Sequence, residues 1–291
     1  MAERSRLGFL GPRGTFSEEA ARVHAGRRPA GQGGTELVAY RGIPELLAAA
    51  ERGEVQEAVV PAENSIEGTV AVTLDTLVHD VRLNIVGEVV IPIRHHLLVR
   101  RGHEDAPVTT VISHPQALAQ CRHYLQERLP GVAVQAAFST AEAARLVGER
   151  DTPGLAAIGN ALCADLYGLA VLDSDIQDVP GNATRFFVVG HGQPGPTGRD
   201  KTTIVFAFAV DRPGNLYGAL GELAQRGINL TKLESRPAKQ ALGDYIFFAD
   251  MEGHKDDPAV AAALRGLARR CAYVRILGSY PRADYPRASP A

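Results

Sequence analysis

The sequence has few cysteines, little net charge and no long apolar run, and each shortage excludes a class of protein. Its three cysteines, Cys121, Cys163 and Cys271, stand far apart and match no metal-ligand spacing, so we expect reduced core thiols in a cytoplasmic protein. The formal net charge of −2 gives no electrostatic reason to expect nucleic acid or an anionic membrane as partner. We expect no signal peptide, and no stretch of about 18 apolar residues is present to span a membrane.

What is present is typical of a soluble globular protein with more than one domain. Hydrophobic residues make up 45% of the chain and charged residues 22%. The 291 residues exceed the roughly 250 that a single core usually supports. Up to residue 190, strand patterns alternate with helix patterns, which predicts a largely parallel, doubly wound sheet. The strands are numerous for one sheet, so we expect two α/β lobes with a cleft between them.

After residue 190 the order of elements changes. Residues 191–201, rich in glycine and proline, are interpreted as a linker. Residues 202–280 then follow the order βαββαβ, which is typical of a ferredoxin-like domain. We expect residues 281–291 to be a disordered tail.

A glycine-rich turn at Gly11–Gly14 follows the first predicted strand. Thr15 and Glu18 form a capping box for the next helix, whose free N–H groups suit a small anion. A dinucleotide fingerprint is disfavoured because the glycines are spaced GxxGxxG and Pro12 removes a donor. A plain structural turn remains open at this point.

Two polar turns follow later strands, at the strand ends where α/β folds bind ligands. The first carries Glu63, Asn64 and Ser65, which could also be a simple turn and helix cap. The second carries Ser113 and His114, with Gln120 one turn on in the helix that follows. A lone loop histidine is more often a structural hydrogen-bonding group than a catalytic one. His95–His96 has no acidic residue at ligand spacing, so we predict no metal site there.

A fourth stretch, Thr184-Arg185-Phe186, places a hydroxyl and a cation at the mouth of a short buried strand. A surface Thr-Arg pair at a strand start is the structural alternative.

The four stretches GPRGTFSEEAA, VPAENSIEGTV, ISHPQALAQC and NATRFF, in this order, resemble the signatures of the prephenate dehydratase family. Residues 214–237 are similar to the part of the regulatory ACT domain by which such enzymes sense phenylalanine. The resemblance extends from residue 6 to about residue 280.

The resemblance implies a two-lobed catalytic domain like that of periplasmic binding proteins over residues 5–190, and an ACT domain over residues 202–280. It implies the conversion of prephenate to phenylpyruvate, water and carbon dioxide in L-phenylalanine biosynthesis, with no metal or cofactor. The ring itself accepts the electrons, and the difficult step is the departure of hydroxide. Arogenate as substrate, and a non-catalytic sensor of amino or keto acids, are the alternatives.

Roles for individual residues also follow from the resemblance. Thr184 would contact the departing hydroxyl, with Glu63 as an alternative proton source and Asn64 and Ser113 as further catalytic groups. The implied substrate-binding residues are Arg185, which would hold a carboxylate, and Thr15, Ser17, Ser65, Gln120 and Phe186.

The effector would be L-phenylalanine, bound where ACT domains pair across subunits, so we expect a homodimer or homotetramer. The implied effector contacts are Asp211, Pro213, Gly214, Asn215, Leu216, Leu233, Glu234, Ser235 and Arg236.

Overall fold

The fold is known from a computed structural model that describes residues 5–27, 34–238 and 245–285. The strands are β1 (Ser5–Leu10), β2 (Thr35–Tyr40), β3 (Glu57–Asn64), β4 (Gly68–Thr69), β5 (Asn84–Pro92), β6 (His96–Arg100), β7 (Thr110–Ser113), β8 (Ala133–Ala136), β9 (Leu155–Gly159), β10 (Leu169–Asp173), β11 (Ala183–Gly190), β12 (Asp200–Ala207), β13 (Leu230–Pro237), β14 (Tyr245–Glu252) and β15 (Tyr273–Pro281). The helices are α1 (Phe16–Gly26), α2 (Ile43–Glu51), α3 (Ala71–His79), α4 (Pro115–Gln120), α5 (Arg122–Arg128), α6 (Thr140–Glu149), α7 (Ala161–Tyr167), α8 (Asn215–Ala224) and α9 (Pro258–Arg270).

The first lobe, residues 5–92 and 183–190, is built on a sheet of order β2-β1-β3-β11-β5, with β4 paired to β3. β1 runs parallel to β2 and β3, whereas β11 runs antiparallel to both of its neighbours. α1 packs on one face, where Phe9, Ala20 and Phe186 share a core. α2 and α3 pack on the other face.

The second lobe, residues 96–173, has a sheet of order β10-β6-β9-β7-β8. β7 runs parallel to β8 and β9, and β6 runs antiparallel to β9 and β10. The prediction of two α/β lobes is confirmed, but the expected largely parallel pairing is wrong. The chain leaves the first lobe at the end of β5 and returns at the start of β11. β11 therefore begins next to the C-terminal ends of β3 and β5 and runs antiparallel to both.

Two crossing segments lie side by side between the lobes. The Ile93 amide donates to the Asn182 carbonyl at 2.8 Å, and the Ile176 amide donates to the His95 carbonyl at 2.9 Å. The lobes also meet at the start of α1, where the Tyr167 hydroxyl donates to the Arg13 carbonyl at 2.8 Å. These contacts leave a cleft between the two sheets.

The C-terminal domain, residues 200–285, has the predicted βαββαβ order and an antiparallel sheet of order β13-β14-β12-β15. β12 begins at Asp200, so the last two residues of the predicted linker belong to the domain. The predicted tail also begins too early, because the Lys201 ammonium donates to the Tyr285 hydroxyl at 2.7 Å. Residues 286–291 of that prediction lie outside the described residues.

The C-terminal sheet shares one apolar core with the first lobe. Val205, Phe248 and Tyr280 pack in a single cluster with Leu77 and Phe187. β15 also approaches β5 closely at Gly278, where any side chain would collide with the main chain of Ile85. Within the described ranges, every hydrogen bond and ion pair that joins this domain to the rest of the chain ends on the first lobe or the linker.

The cysteines are unpaired, as the sequence predicts: Cys121 and Cys163 are buried and Cys271 is half-buried. Burial raises the pKa of Cys121 and of Cys163 to about 12, so both remain thiols at neutral pH. Of the helices described, none has the length and apolar character needed to cross a membrane.

The shared core predicts that the first lobe and the C-terminal domain unfold together. Phe248→Ala should lower the free energy of unfolding by about 3–5 kcal/mol, because it removes a fully buried aromatic ring from that core. Denaturant titrations followed by far-ultraviolet circular dichroism and by tyrosine fluorescence should give one coincident transition. The exposed Tyr217→Ala is the control. A separate early transition of the C-terminal domain alone would contradict the prediction.

Candidate active site

A cavity of 430 Å³ lies in the cleft. The first lobe contributes the polar ends of β3 and β11, and the starts of α1, α4 and α6 complete the wall. The lining residues are Leu10, Gly11, Thr15, Phe16, Ser17, Pro61, Asn64, Glu67, Gly68, Thr69, Val70, Ile93, His95, His114, Gln116, Ala117, Gln120, Phe138, Ser139, Thr140, Asn182, Thr184 and Phe186.

Asn64 is held in one orientation by the main chain. Its side-chain oxygen accepts the amides of Ile66 at 2.9 Å and Glu67 at 3.0 Å. Since main-chain N–H groups can only donate, the oxygen must face the turn and the NH₂ group must face the cleft. The NH₂ group donates to the Asn182 side-chain oxygen at 2.8 Å and to the Thr184 hydroxyl oxygen at 2.9 Å.

Thr184 therefore acts as the acceptor in its contact with Asn64. Its own hydroxyl proton has no acceptor among the residues that the structure describes, and the side chain lines the cavity. A hydroxyl that accepts a hydrogen bond becomes a better donor, because the two bonds polarise one another. The geometry thus presents an O–H donor to whatever occupies the cavity.

A chain of amide hydrogen bonds continues from Asn64 across the cleft. The Asn182 NH₂ group donates to the Gln120 side-chain oxygen at 3.3 Å, which links the first lobe to α4 of the second. The Nε2 atom of His95 lies 3.0 Å from the same Gln120 oxygen. Burial lowers the pKa of His95, so the imidazole is neutral at pH 7. The two lobes are thus joined through a polar network in the cavity wall.

Two helices present their N-termini at the cavity. Thr15 caps α1: its hydroxyl oxygen accepts the Glu18 amide at 3.3 Å, and the same hydroxyl lies 3.0 Å from the carbonyls of Leu10 and Pro12. Ser139 caps α6 by accepting the Glu142 amide at 2.9 Å. The remaining N–H groups of each first turn have no intrahelical partner and favour an anion.

The charge of the cavity wall is unusual for an anion site. Among the described residues that line it, none is lysine or arginine, and Glu67 is the sole carboxylate. An anionic ligand would therefore be held by N–H dipoles and hydroxyl groups.

Arg185 does not line this cavity, so the structure contradicts its predicted placement. The side chain is 5% exposed and lies on the opposite face of the sheet. It donates to Glu88 at 2.6 Å, to the Tyr280 hydroxyl at 2.8 Å and to Asp250 of β14. Consecutive residues of a strand point to opposite faces, so Thr184 and Arg185 cannot both face the cleft. The alternative of a surface Thr-Arg pair is also wrong, because both residues are buried.

Three other predicted residues also lie outside the cavity. Glu63 is on the Arg185 face, where its carboxylate is 3.3 Å from the Lys232 ammonium. Ser113 is fully buried and donates to the Ile158 carbonyl at 2.7 Å, which ties β7 to β9. Ser65 is exposed beside Glu63 and Arg185, and its hydroxyl oxygen accepts the Ala183 amide at 3.0 Å.

The other predicted residues do meet in the cavity. These are Thr15, Ser17, Asn64, Gln120, Thr184 and Phe186. His114 also lines it, and its Nδ1 accepts the Gln116 amide at 3.3 Å, which fits the structural alternative.

Sequence reasoning missed Asn182, His95 and Phe138. Asn182 could have been found, because it precedes Thr184 by two residues and so shares its face of the strand. The other two reach the cavity only through the crossing of the chain between lobes and the turn before α6, which no local pattern reveals.

The predicted effector residues on β13 lie on two different faces of the strand, because successive side chains point in opposite directions. On β13, Glu234 and Arg236 face the first lobe: Glu234 contacts the Thr69 hydroxyl, and Arg236 donates to Asp75 at 3.0 Å. Leu233 and Ser235 are exposed on the other face. Thr69 also lines the cavity, so the predicted effector strand touches the cavity wall.

The remaining predicted effector residues lie at or before the start of α8. Gly214 is the N-cap of that helix with φ of +87°, a conformation that glycine adopts without strain. The others of this group are Asp211, Pro213, Asn215 and Leu216.

Comparisons with known proteins agree with the resemblance. Residues 7–194 match the family model for prephenate dehydratase, and residues 202–269 match that for the ACT domain. A prephenate dehydratase of Amycolatopsis methanolica is 46% identical over 285 residues, which cover 96% of this chain and 90% of that protein.

Two solved structures share the fold over almost the whole chain. The crystal structure of prephenate dehydratase from Arthrobacter aurescens in complex with L-Phe superposes with a TM-score of 0.84 at 40% identity, covering 98% of this chain and 93% of that one. The structure of GqqA, described as a novel type of quorum quenching acylase, has a TM-score of 0.84 at 32% identity, covering 97% and 100%.

The placement of Arg185 predicts that its buried partners maintain the fold. Asp250→Ala should lower the free energy of unfolding by about 3–5 kcal/mol, because it leaves a buried guanidinium with one carboxylate fewer. Glu252→Ala, on the same strand but half-exposed in its pair with Arg282, should cost less than about 1 kcal/mol. Denaturant titration measures both, and equal small effects would contradict the assignment.

Proposed function

The chain belongs to the prephenate dehydratase family, and we propose that it converts prephenate to phenylpyruvate, water and carbon dioxide in this cavity. The step belongs to L-phenylalanine biosynthesis. The observation that carries the proposal is the Thr184 hydroxyl, which lines the cavity, accepts from Asn64 and has no acceptor for its own proton among the described residues.

The main barrier of the reaction lies in breaking the C–O bond to the ring hydroxyl. The C–C bond to the ring carboxylate breaks and carbon dioxide leaves. The electron pair forms a ring double bond as the C–O bond to the ring hydroxyl breaks, and the ring becomes aromatic. Hydroxide is a poor leaving group, so a donor at that oxygen lowers the barrier. In our proposal the Thr184 O–H hydrogen-bonds to the departing hydroxyl, and Asn64 holds the threonine oxygen in place. The hydroxyl leaves with the electron pair of the C–O bond as hydroxide and becomes water by taking a proton from solvent.

The absence of a cation from the described wall suits this reaction. A guanidinium against the ring carboxylate would stabilise the charge that must be lost as carbon dioxide, and would therefore bind the ground state better than the transition state. We propose that the side-chain carboxylate of prephenate lies at the N-termini of α1 and α6, whose dipoles hold an anion away from the reacting ring. Phe16 and Phe186 supply apolar surface beside the ring.

We predict that Thr184→Val, which keeps the shape but removes the donor, lowers kcat by about 10²–10³-fold, the size expected when one donor to a developing oxyanion is lost. Thr184→Ser should retain more activity than Thr184→Val. The readout is the absorbance of phenylpyruvate, with the melting temperature as a check on folding. A near-normal kcat in Thr184→Val would remove this residue from the mechanism.

The function as a whole is tested with the purified full chain. We expect kcat/KM to favour prephenate over arogenate, which carries an amino group in place of the keto group. The likeness to an acylase shows that one scaffold serves several reactions, so the product itself must be measured. Ligand binding without product would favour the sensor alternative.

We also propose that L-phenylalanine inhibits the enzyme through the C-terminal domain. The exposed face of β13 and the start of α8 would bind the amino acid, and Glu234 would convey its presence to Thr69 in the cavity wall. β13 is an edge strand in this chain, so a second copy can pair with it, which supports a homodimer or homotetramer. We further propose that the enzyme acts in the cytoplasm.

We predict that L-phenylalanine raises the melting temperature and lowers activity. A coupling of about 1–3 kcal/mol corresponds to a 5–150-fold change in prephenate affinity. Glu234→Gln should weaken the inhibition while the melting temperature still rises with L-phenylalanine. Glu252→Gln on the neighbouring strand should behave like the natural chain. An unchanged inhibition curve in Glu234→Gln would contradict transmission through Thr69.

A further inference from the structure

His95 lies in the segment that crosses from the first lobe to the second, and the mechanism above makes no use of it. Its side chain is 3% exposed and lines the cavity beside Phe16, with the two ring centroids 5.6 Å apart. In the part of the chain that the structure describes, its Nδ1 atom is buried without a hydrogen-bond partner. A buried polar atom left unsatisfied is costly and calls for a reason.

The tautomer of His95 follows from the main chain on the other side of the cleft. The amides of Ile66 and Glu67 fix the Asn64 oxygen, so the Asn64 NH₂ group must donate to the Asn182 oxygen. The Asn182 NH₂ group must then donate to the Gln120 oxygen.

Because the Gln120 atom at the end of that chain is an acceptor, the His95 Nε2 atom that lies 3.0 Å from it must carry a hydrogen. A neutral imidazole carries one ring hydrogen, so Nδ1 has a bare lone pair. The unpartnered Nδ1 atom is therefore an unsatisfied acceptor and not an unsatisfied donor.

The consequence for Gln120 is chemical. Two donors, from Asn182 and His95, converge on its side-chain oxygen. Its NH₂ group has no acceptor among the described residues, and Gln120 lines the cavity. Gln120 is thus held with its donors free for a ligand. A flipped amide would instead present a carbonyl oxygen, which repels an anion.

We propose that His95 is a positioning residue for the dehydratase reaction: as the neutral Nε2–H tautomer it holds the Gln120 amide so that its N–H groups face an oxygen of the anionic substrate. This inference rests on the proposed function. It acts through Gln120, without contact between His95 and the reacting atoms.

Nuclear magnetic resonance of the full chain with ¹⁵N-labelled histidine tests the tautomer without reference to activity. The His95 signals are assigned by their loss in His95→Gln. We expect a protonated Nε2 and an unprotonated Nδ1 at pH 7. A proton on Nδ1, or on both nitrogens, would overturn the proposal.

Kinetics on prephenate test the role. His95→Leu should raise KM about tenfold, the size expected when one oriented hydrogen bond to a charged ligand is lost. His95→Gln, whose amide NH₂ can replace the Nε2 donor, should stay within about threefold of the natural chain. His96→Leu, at the neighbouring position outside the cavity wall, is the control. Equal losses in His95→Leu and His95→Gln, or no loss in either, would refute the proposal.

A double-mutant cycle separates positioning from a general structural role. If His95 acts through Gln120, His95→Leu should have no further effect on KM in a Gln120→Ala background. Additive effects would place His95 outside the proposed chain. Failure of the proposed function is distinguishable, since the natural chain would then form no phenylpyruvate at all.

Discussion

The site depends on two hydrogen bonds that the main-chain amides of Ile66 and Glu67 donate to the Asn64 side-chain oxygen. An asparagine amide can usually rotate and exchange its donor and acceptor ends at little cost. Here the turn after β3 offers only donors, so the amide has a single orientation. That orientation fixes which end of Asn182 faces the cleft and makes the Thr184 oxygen an acceptor. Through Asn182, a short turn in the first lobe therefore also sets the orientation of the Gln120 amide in the second lobe.

Successive side chains of β11 point to opposite faces of the sheet, so Thr184 and Arg185 lie in two different environments. Thr184 faces the cavity, and Arg185 faces the C-terminal domain, where Asp250 and Tyr280 neutralise and solvate it. A displacement of the C-terminal sheet would therefore also move the strand that carries Thr184. The buried ion pairs thus connect the C-terminal domain to a strand of the cavity wall, and the part of that wall that the structure describes contains no lysine or arginine.

Much of this arrangement could be predicted from the sequence, because it depends on local pattern. The order of elements, the two lobes and the C-terminal βαββαβ unit follow from periodicity and turns. Thr184, Asn64 and Gln120 follow from motifs at strand ends. The expectation that Arg185 and Glu63 lie in the cavity treats a motif as a cluster, although the two-residue period of a strand already separates Arg185 from Thr184. The expectation for Ser113 fails because its burial depends on β9, which is distant in sequence. His95 could not be assigned from the sequence, since its partners come from both lobes.

The C-terminal domain is tied to the first lobe and the linker but, in the ranges that are described, not to the second lobe. This makes the molecule modular in an evolutionary sense. The starts of α4 and α6, which complete the cavity from the second lobe, can vary without disturbing the contacts between the first lobe and the C-terminal domain. Substitutions that alter the cavity and substitutions that alter the domain interface can then accumulate on separate surfaces of one chain.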